Sequence, residues 1–143
     1  MRAVTVLWRL HRWMYRVSGG RLGGRLVGMP VLLLTTTGRR TGKAHTTALM
    51  FLPEGRNFVI IASNGGAPHH PAWFLNLRAR PQAEIQIRRR LLRVQAREAE
   101  GAERAQLWAR IVRTYAGYAA YQARTSRRIP VIVLEQDRAG DQT

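Results

Sequence analysis

Residues 35–52 read TTTGRRTGKAHTTALMFL, and the way this stretch folds decides the architecture around it. Its glycines, its lysine and its threonine-rich approach give it the look of a nucleotide-phosphate loop. The spacing excludes that. Such a loop needs the pattern G-x-x-x-x-G-K-[ST] and opens a helix. Here only Arg39, Arg40 and Thr41 separate Gly38 from Gly42, and Ala44 follows Lys43. AHTTALMFL (44–52) then reads as a strand, as does the apolar PVLLLTTT (30–37) before the loop. The stretch is two strands joined by a cationic turn.

Working outward, PEGR (53–56) is a turn, and NFVIIAS (57–63) is a strand apolar enough to be buried on both faces. After the loop NGGAPHH (64–70), PAWFLNLRAR (71–80) predicts a helix with Pro71 at its first position, stopping before Pro81. AEIQIRRRLLRVQARE (83–98) alternates as a hairpin with its arginines facing out. Ala105, Leu107, Trp108, Ile111, Val112 and Tyr115 recur at helical spacing over 101–115, and IPVIVLE (129–135) is a last strand. About six short, mainly antiparallel strands with flanking helices imply an α+β protein on a small closed sheet.

Upstream, MRAVTVLWRLHRWMYRV (1–17) puts Arg2, Arg9, Arg12 and Arg16 on one narrow helical face, with apolar and aromatic side chains around the rest. That pattern fits a helix lying in a membrane surface or one packed on the domain's own core. A glycine-rich linker (18–29), the main domain (30–136) and a loose polar tail (137–143) complete the division.

With 143 residues, 45% of them hydrophobic, the chain is long enough for one proper core. It has no cysteine, so disulfides and thiolate metal sites are excluded. No apolar run approaches the roughly 20 residues that span a bilayer. The arginines in the first segment interrupt the apolar run a signal peptide needs. A cytoplasmic protein is expected, free or attached to the inner face of the membrane. The formal charge of +16 calls for a polyanionic partner. Residues 1–53 hold nine Arg or Lys and no Asp or Glu.

Two glycine-bearing loops follow apolar strands. TGRRTGK offers three cations and backbone amides, a grip for phosphate or for a run of carboxylates, although an ordinary solvated turn has the same sequence. SNGGAPHHPAW places Ser63 and Asn64 at a strand end and lets the backbone approach a planar ligand at Gly65 and Gly66. His69 and His70 are adjacent and lack a companion carboxylate or cysteine, so no metal site is expected. Ser63 has no histidine and acid partners for a hydrolase triad. TYAGYAAYQART spaces Tyr115, Tyr118 and Tyr121 at steps of three, one side of a helical turn. Such a stripe is either core or an aromatic wall whose hydroxyls donate protons.

TTTGRRTGKAHTTALMFL, VIIASNGGAPHHPAWFLNLRARP and TYAGYAAYQART…IPVIVLE together closely resemble the deazaflavin-dependent nitroreductase family, actinobacterial quinone reductases that use reduced coenzyme F420 on a split β-barrel. The likeness runs from about residue 8 to 136. It implies that Arg39, Arg40, Thr41 and Lys43, with the strand His45, Thr46, Thr47, Ala48, Leu49 and Met50, hold the coenzyme's phosphate and oligoglutamate tail. Ile61, Ala62, Ser63 and Asn64 lie along the deazaflavin ring. Ala72, Trp73, Phe74, Leu75 and Asn76 close around the cofactor, which Tyr118 also touches. Ser63, Tyr115 and Tyr121 line the substrate side, with Ser63 and Tyr121 as proton donors or hydrogen-bonding groups. Relatives often carry arginine where His45 stands, which makes one phosphate contact here weaker or pH-dependent, and some carry lysine at the place of Asn64. The implied reaction is hydride transfer to a quinone, menaquinone-like, with nitroaromatic compounds as side substrates and the basic N-terminus reaching the membrane.

Two other readings compete. One is a split barrel using FMN, for which a single phosphate explains the cationic loop less well than a carboxylate-rich tail. The other is a basic nucleic-acid or membrane-binding module without catalysis; no base-stacking or groove-reading motif supports nucleic acid.

Overall fold

The computed structural model describes residues 25–26 and 29–137. The expected amphipathic helix over 1–17 lies outside them, as does the tail beyond Asp137. In chain order the strands are β1 (Arg25–Leu26), β2 (Met29–Thr37), β3 (Ala44–Met50), β4 (Leu52–Glu54), β5 (Asn57–Ile61), β6 (Gln82–Ile87), β7 (Arg90–Glu98) and β8 (Val131–Gln136). The helices are α1 (Ala72–Ala79), α2 (Gly101–Thr114) and α3 (Gly117–Ala123), with a single 3₁₀ turn at Asn64–Gly66. Arg25–Leu26 falls inside the expected linker yet pairs with Pro30 and Met29.

Every strand pair is antiparallel. The hydrogen-bonded path runs β2-β6-β7-β8-β5-β4, and β3 pairs with β2. β3 and β4 therefore sit at opposite ends of the path, yet only Phe51 separates them in the chain. One residue bridges at most about 7 Å between its neighbours' Cα atoms, so the path must curl back on itself. The sheet closes as a split β-barrel in which β3 and β4 are two halves of one bent strand. The bend is pinned where the Phe51 N–H donates to the Pro30 carbonyl at 3.0 Å. A single strand over 44–52 was expected; closure breaks it at Phe51.

Alternation along the strands builds two cores. Leu32, Leu34, Ile60, Ile85, Val94, Ile132 and Leu134 join Phe51 in a cluster drawn from around the whole barrel, so it fills the interior, and Phe74 and Leu77 of α1 pack into it. Val59, Ile61, Val131 and Val133, from the alternate positions of β5 and β8, face outward under Leu107 and Ile111 of α2 and Tyr118 of α3. Both faces of β5 are thus buried, as its unbroken apolar sequence requires. Each such side chain contributes about 1.5–3 kcal/mol of transfer free energy.

Three local expectations need correction. Pro71 precedes α1 with ψ 151° instead of occupying its first turn. On α2 the buried stripe is Arg104, Leu107 and Ile111, whereas Ala105 is exposed. Arg104 is tolerated there because its guanidinium donates to the Ile129 carbonyl at 2.6 Å and lies over the Trp108 ring. The third concerns the tyrosines. Tyr115 is not helical: α2 ends at Thr114, Tyr115 turns to φ −145° and ψ 103°, and α3 restarts at Gly117.

Candidate functional site

The β2–β3 hairpin ends in the loop 38–43, where the Gly38 N–H donates to the Lys43 carbonyl at 2.7 Å and Gly42 takes φ 73°. Arg39, Arg40, Thr41 and Lys43 are exposed on it. The loop does not swing freely, because Asn76 of α1 holds it. Asn76 Oδ1 accepts from the Arg39 backbone N–H (3.1 Å) and guanidinium (3.4 Å), and Asn76 Nδ2 donates to Thr36 Oγ1 at 3.1 Å. His45 folds back over its own turn, its ring in the space a Cβ on Gly38 would need.

A groove of about 1030 Å³ runs from Arg39 along β3 and past the end of β5 to the tyrosines. Thr47, Ala48, Leu49 and Met50 all line it. Four consecutive residues cannot present one face of a strand, whose side chains alternate; they line the groove by its edge. Among the described residues β3 is hydrogen-bonded to β2 alone, so its outer edge turns backbone N–H and C=O groups to the groove. Ile61, Ser63, Asn64, Trp73, Leu75, Tyr118 and Tyr121 complete much of the wall. A smaller recess of about 410 Å³ adjoins it, lined by Arg39, Arg40, Thr41, His45, Thr46 and Asn76 among others. Arg39, Thr47, Ala72 and Trp73 belong to both, so the two are continuous. Lys43, Ala62, Phe74 and Tyr115 line neither; Ala62 and Phe74 belong to the interior core.

Ser63 is buried at the end of β5, where the chain reverses through Asn64, Gly65 and Gly66 with φ of 48°, 64° and 83°. The reversal is packed on α3: a Cβ on Gly66 would stand 2.7 Å from the Tyr121 carbonyl. Asn64 Nδ2 closes the loop by donating to the His69 carbonyl at 3.1 Å. His69 and His70 both line the groove, and among the described residues no group of His, Asp or Glu could hold a metal.

The three tyrosines meet although Tyr115 lies outside the helix that carries the other two. Tyr118 stacks edge-to-face on Tyr115 (5.3 Å) and on Tyr121 (5.9 Å). Tyr118 and Tyr121 line the groove while Tyr115 stands behind them. Burial, followed by the neighbouring Tyr121 and Tyr115, raises the Tyr118 phenol well above its ordinary range. The neighbouring Tyr121 raises Tyr115 as well. Both phenols stay protonated at neutral pH, as hydrogen-bond donors must.

Sequence reasoning missed Arg127. Its guanidinium satisfies three carbonyls of the Ser63 loop and contacts His70. Nothing in TSRRIP separates it from the other 23 basic residues, since its partners are far away in sequence.

The arrangement accommodates a long ligand with a flat ring at one end and an anionic tail at the other. Apolar Leu49, Met50, Ile61 and Trp73 suit the ring, a strand edge and hydroxyls suit its polar rim, and Arg39 and Arg40 suit the tail.

Comparison with known proteins agrees with this geometry. The family model described as F420H(2)-dependent quinone reductase matches residues 7–136. An F420H(2)-dependent quinone reductase of Mycobacterium tuberculosis is 42% identical over 132 residues, covering 90% of this chain and 89% of the relative. The solved structure of an F420-H2 dependent reductase superposes with a TM-score of 0.68 at 41% identity, over 74% of this chain and 94% of that one. A second solved structure, a domain-swapped dimer, gives a TM-score of 0.69 at 35% identity over 94% of this chain and all of the other.

Proposed function

The chain belongs to the F420H(2)-dependent quinone reductase family, and from that premise we propose that the large groove holds the deazaflavin ring of reduced coenzyme F420 beside a quinone. Bound there, the coenzyme supplies a hydride to the acceptor ring. The enzyme is an F420H2-dependent oxidoreductase, and the residues divide its work. Arg39 and Arg40 grip the phosphate and carboxylate tail, with Thr41, His45 and Thr46 beside them. The outer edge of β3 hydrogen-bonds the ring's polar rim, and Ile61, Trp73 and Tyr118 fix its plane. Ser63 and the Tyr121 hydroxyl face the acceptor, and the phenol holds a proton for the developing oxyanion. Tyr115 supports Tyr121 through the edge-to-face stack that runs across Tyr118.

The observation that carries this reading is the continuity of an apolar, ring-sized groove with a cationic recess through Arg39 and Trp73. One FMN phosphate would leave most of that recess without a partner. The same open groove admits nitroaromatic rings. The basic, tryptophan-bearing sequence of residues 1–17 supports peripheral attachment to an anionic membrane, where a lipid quinone resides. No described helix is long and apolar enough to cross one.

Fluorescence titration with oxidised coenzyme F420 and, separately, with FMN tests the assignment. Saturable binding of the deazaflavin with an affinity that rises with tail length is expected. Tight FMN binding with no deazaflavin response would overturn it.

A further inference from the structure

Arg127 lies between α3 and β8, and its side chain reaches across to the loop that carries Ser63. Nη2 donates to the Ser63 carbonyl at 2.7 Å, Nε to the Ala67 carbonyl at 2.8 Å and Nη1 to the Ala62 carbonyl at 3.2 Å. Nη1 also lies 3.0 Å from Nδ1 of His70. A guanidinium has donors and no acceptor. Nδ1 of His70 must therefore accept, and the ring's proton sits on Nε2. The imidazole is packed against Phe74, 4.7 Å between centroids, and lines the groove. A ring flip would put Cδ2 in the place of Nδ1 and so break the Arg127 contact.

We infer that His70 is a fixed, neutral hydrogen-bond donor, through Nε2–H, to an acceptor oxygen of the molecule in the groove, and that Arg127 is the positioning residue that sets this state. The identity of that oxygen, a carbonyl of the coenzyme ring or of the quinone, rests on the functional reading above; the state of His70 does not. The surroundings agree. Burial holds the imidazole below its ordinary range, Arg127 and Arg78 act in the same direction, and Glu98 alone opposes them. Arg127 is itself braced, its N–H donating to Thr125 Oγ1 and its carbonyl accepting from Gln122 of α3 at 2.8 Å. The helix that carries Tyr118 and Tyr121 is thereby tied to the loop that carries Ser63 and His70.

Imidazole nitrogen NMR on the ligand-free protein tests the state directly. In the wild type, His70 is expected as the Nε2–H tautomer, protonating only below the ordinary imidazole range. In Arg127→Met its midpoint should move up towards the ordinary value of about 6.5, burial and Arg78 still holding it down, and both tautomers should be populated. A wild-type His70 that titrates near that ordinary value, or that carries its proton on Nδ1, overturns the inference, and this measurement needs no variant to fold. His70→Phe keeps the ring and removes the donor. Its effect is read separately as coenzyme affinity and as KM for a soluble menaquinone analogue. A loss of about tenfold in the first identifies the coenzyme oxygen, and in the second the quinone oxygen. Neither changing would overturn the donor role while leaving the coenzyme assignment to its own titration.

Discussion

Asn76 Oδ1 accepts both the backbone N–H and the guanidinium of Arg39, while the same amide donates to Thr36. One buried side chain of α1 thus holds the cationic turn against the barrel. The family resemblance implies coenzyme contact for Asn76, and most of its hydrogen-bonding capacity is spent on the protein. It fixes Arg39 at the junction of the groove and the recess.

Asn76→Ala should therefore act on both stability and binding. It leaves Thr36 Oγ1 buried without this donor, which costs about 1–3 kcal/mol, read as a lower midpoint in denaturant unfolding. Coenzyme affinity should fall on the order of tenfold through the freed loop, with the loss growing as the glutamate tail lengthens. A stability loss with unchanged affinity would confine Asn76 to the fold.

Much of this was legible in the chain because local signals agreed with one another. The short glycine spacing and the β-branched run after Lys43 gave the β2–β3 hairpin, and alternation gave β6 and β7. What escaped reading is set by distant contacts. ALMFL shows no break; Phe51 bends because the strand must leave β2 and join β5. Ala105 and Arg104 exchange roles because the Ile129 carbonyl waits for a donor. The tyrosine spacing suggested a single helical face, whereas Tyr115 stacks on Tyr118 across a helix break. Arg127 had no local signature at all.

Gly117 is the small residue that permits that break. A Cβ there would stand 2.5 Å from Cζ of Tyr115, so the ring would have to move. Gly117→Ala is expected to cost about 1–3 kcal/mol by overpacking and to disturb the stacked tyrosines, visible in near-ultraviolet circular dichroism. Turnover should fall more than coenzyme affinity, because the cationic recess is remote from the change. Unaltered dichroism and turnover would show that Tyr115 does not order Tyr121.

Removal of the Tyr121 hydroxyl isolates the proton-donor role. Tyr121→Phe keeps the edge-to-face contact with Tyr118 and should lower kcat for a menaquinone analogue by about 10² or more, with coenzyme titration unchanged. Equal losses in both measurements would make Tyr121 a binding residue instead.

Deletion of residues 1–17 addresses the membrane. Each basic residue near an anionic surface contributes about 1 kcal/mol, so the truncated protein should no longer co-sediment with phosphatidylglycerol vesicles at moderate salt. Activity on a soluble quinone should persist. Retained co-sedimentation would return that segment to the domain's own core.

Tyr118 makes the pH dependence specific. Its phenol is raised in the folded protein, chiefly by burial, so the folded state keeps this proton where the unfolded state releases it. The stability linked to the group is therefore intact below the unfolded pKa of about 10 and is lost as pH rises from there towards the folded value. The loss approaches about 1.4 kcal/mol per pH unit for one such group. Tyr118→Phe carries no titrating proton in either state, and its ring preserves both edge-to-face contacts. Its stability should thus fall less steeply than that of the wild type between about pH 10 and 11.5 in denaturant unfolding, narrowing or reversing any difference seen at neutral pH. Some slope should remain in the variant, because Tyr115 is raised as well, chiefly by the neighbouring Tyr121. Parallel slopes would mean that Tyr118 ionises as readily in the folded protein as in the unfolded chain, and the buried aromatic wall of the groove would have to be open to water.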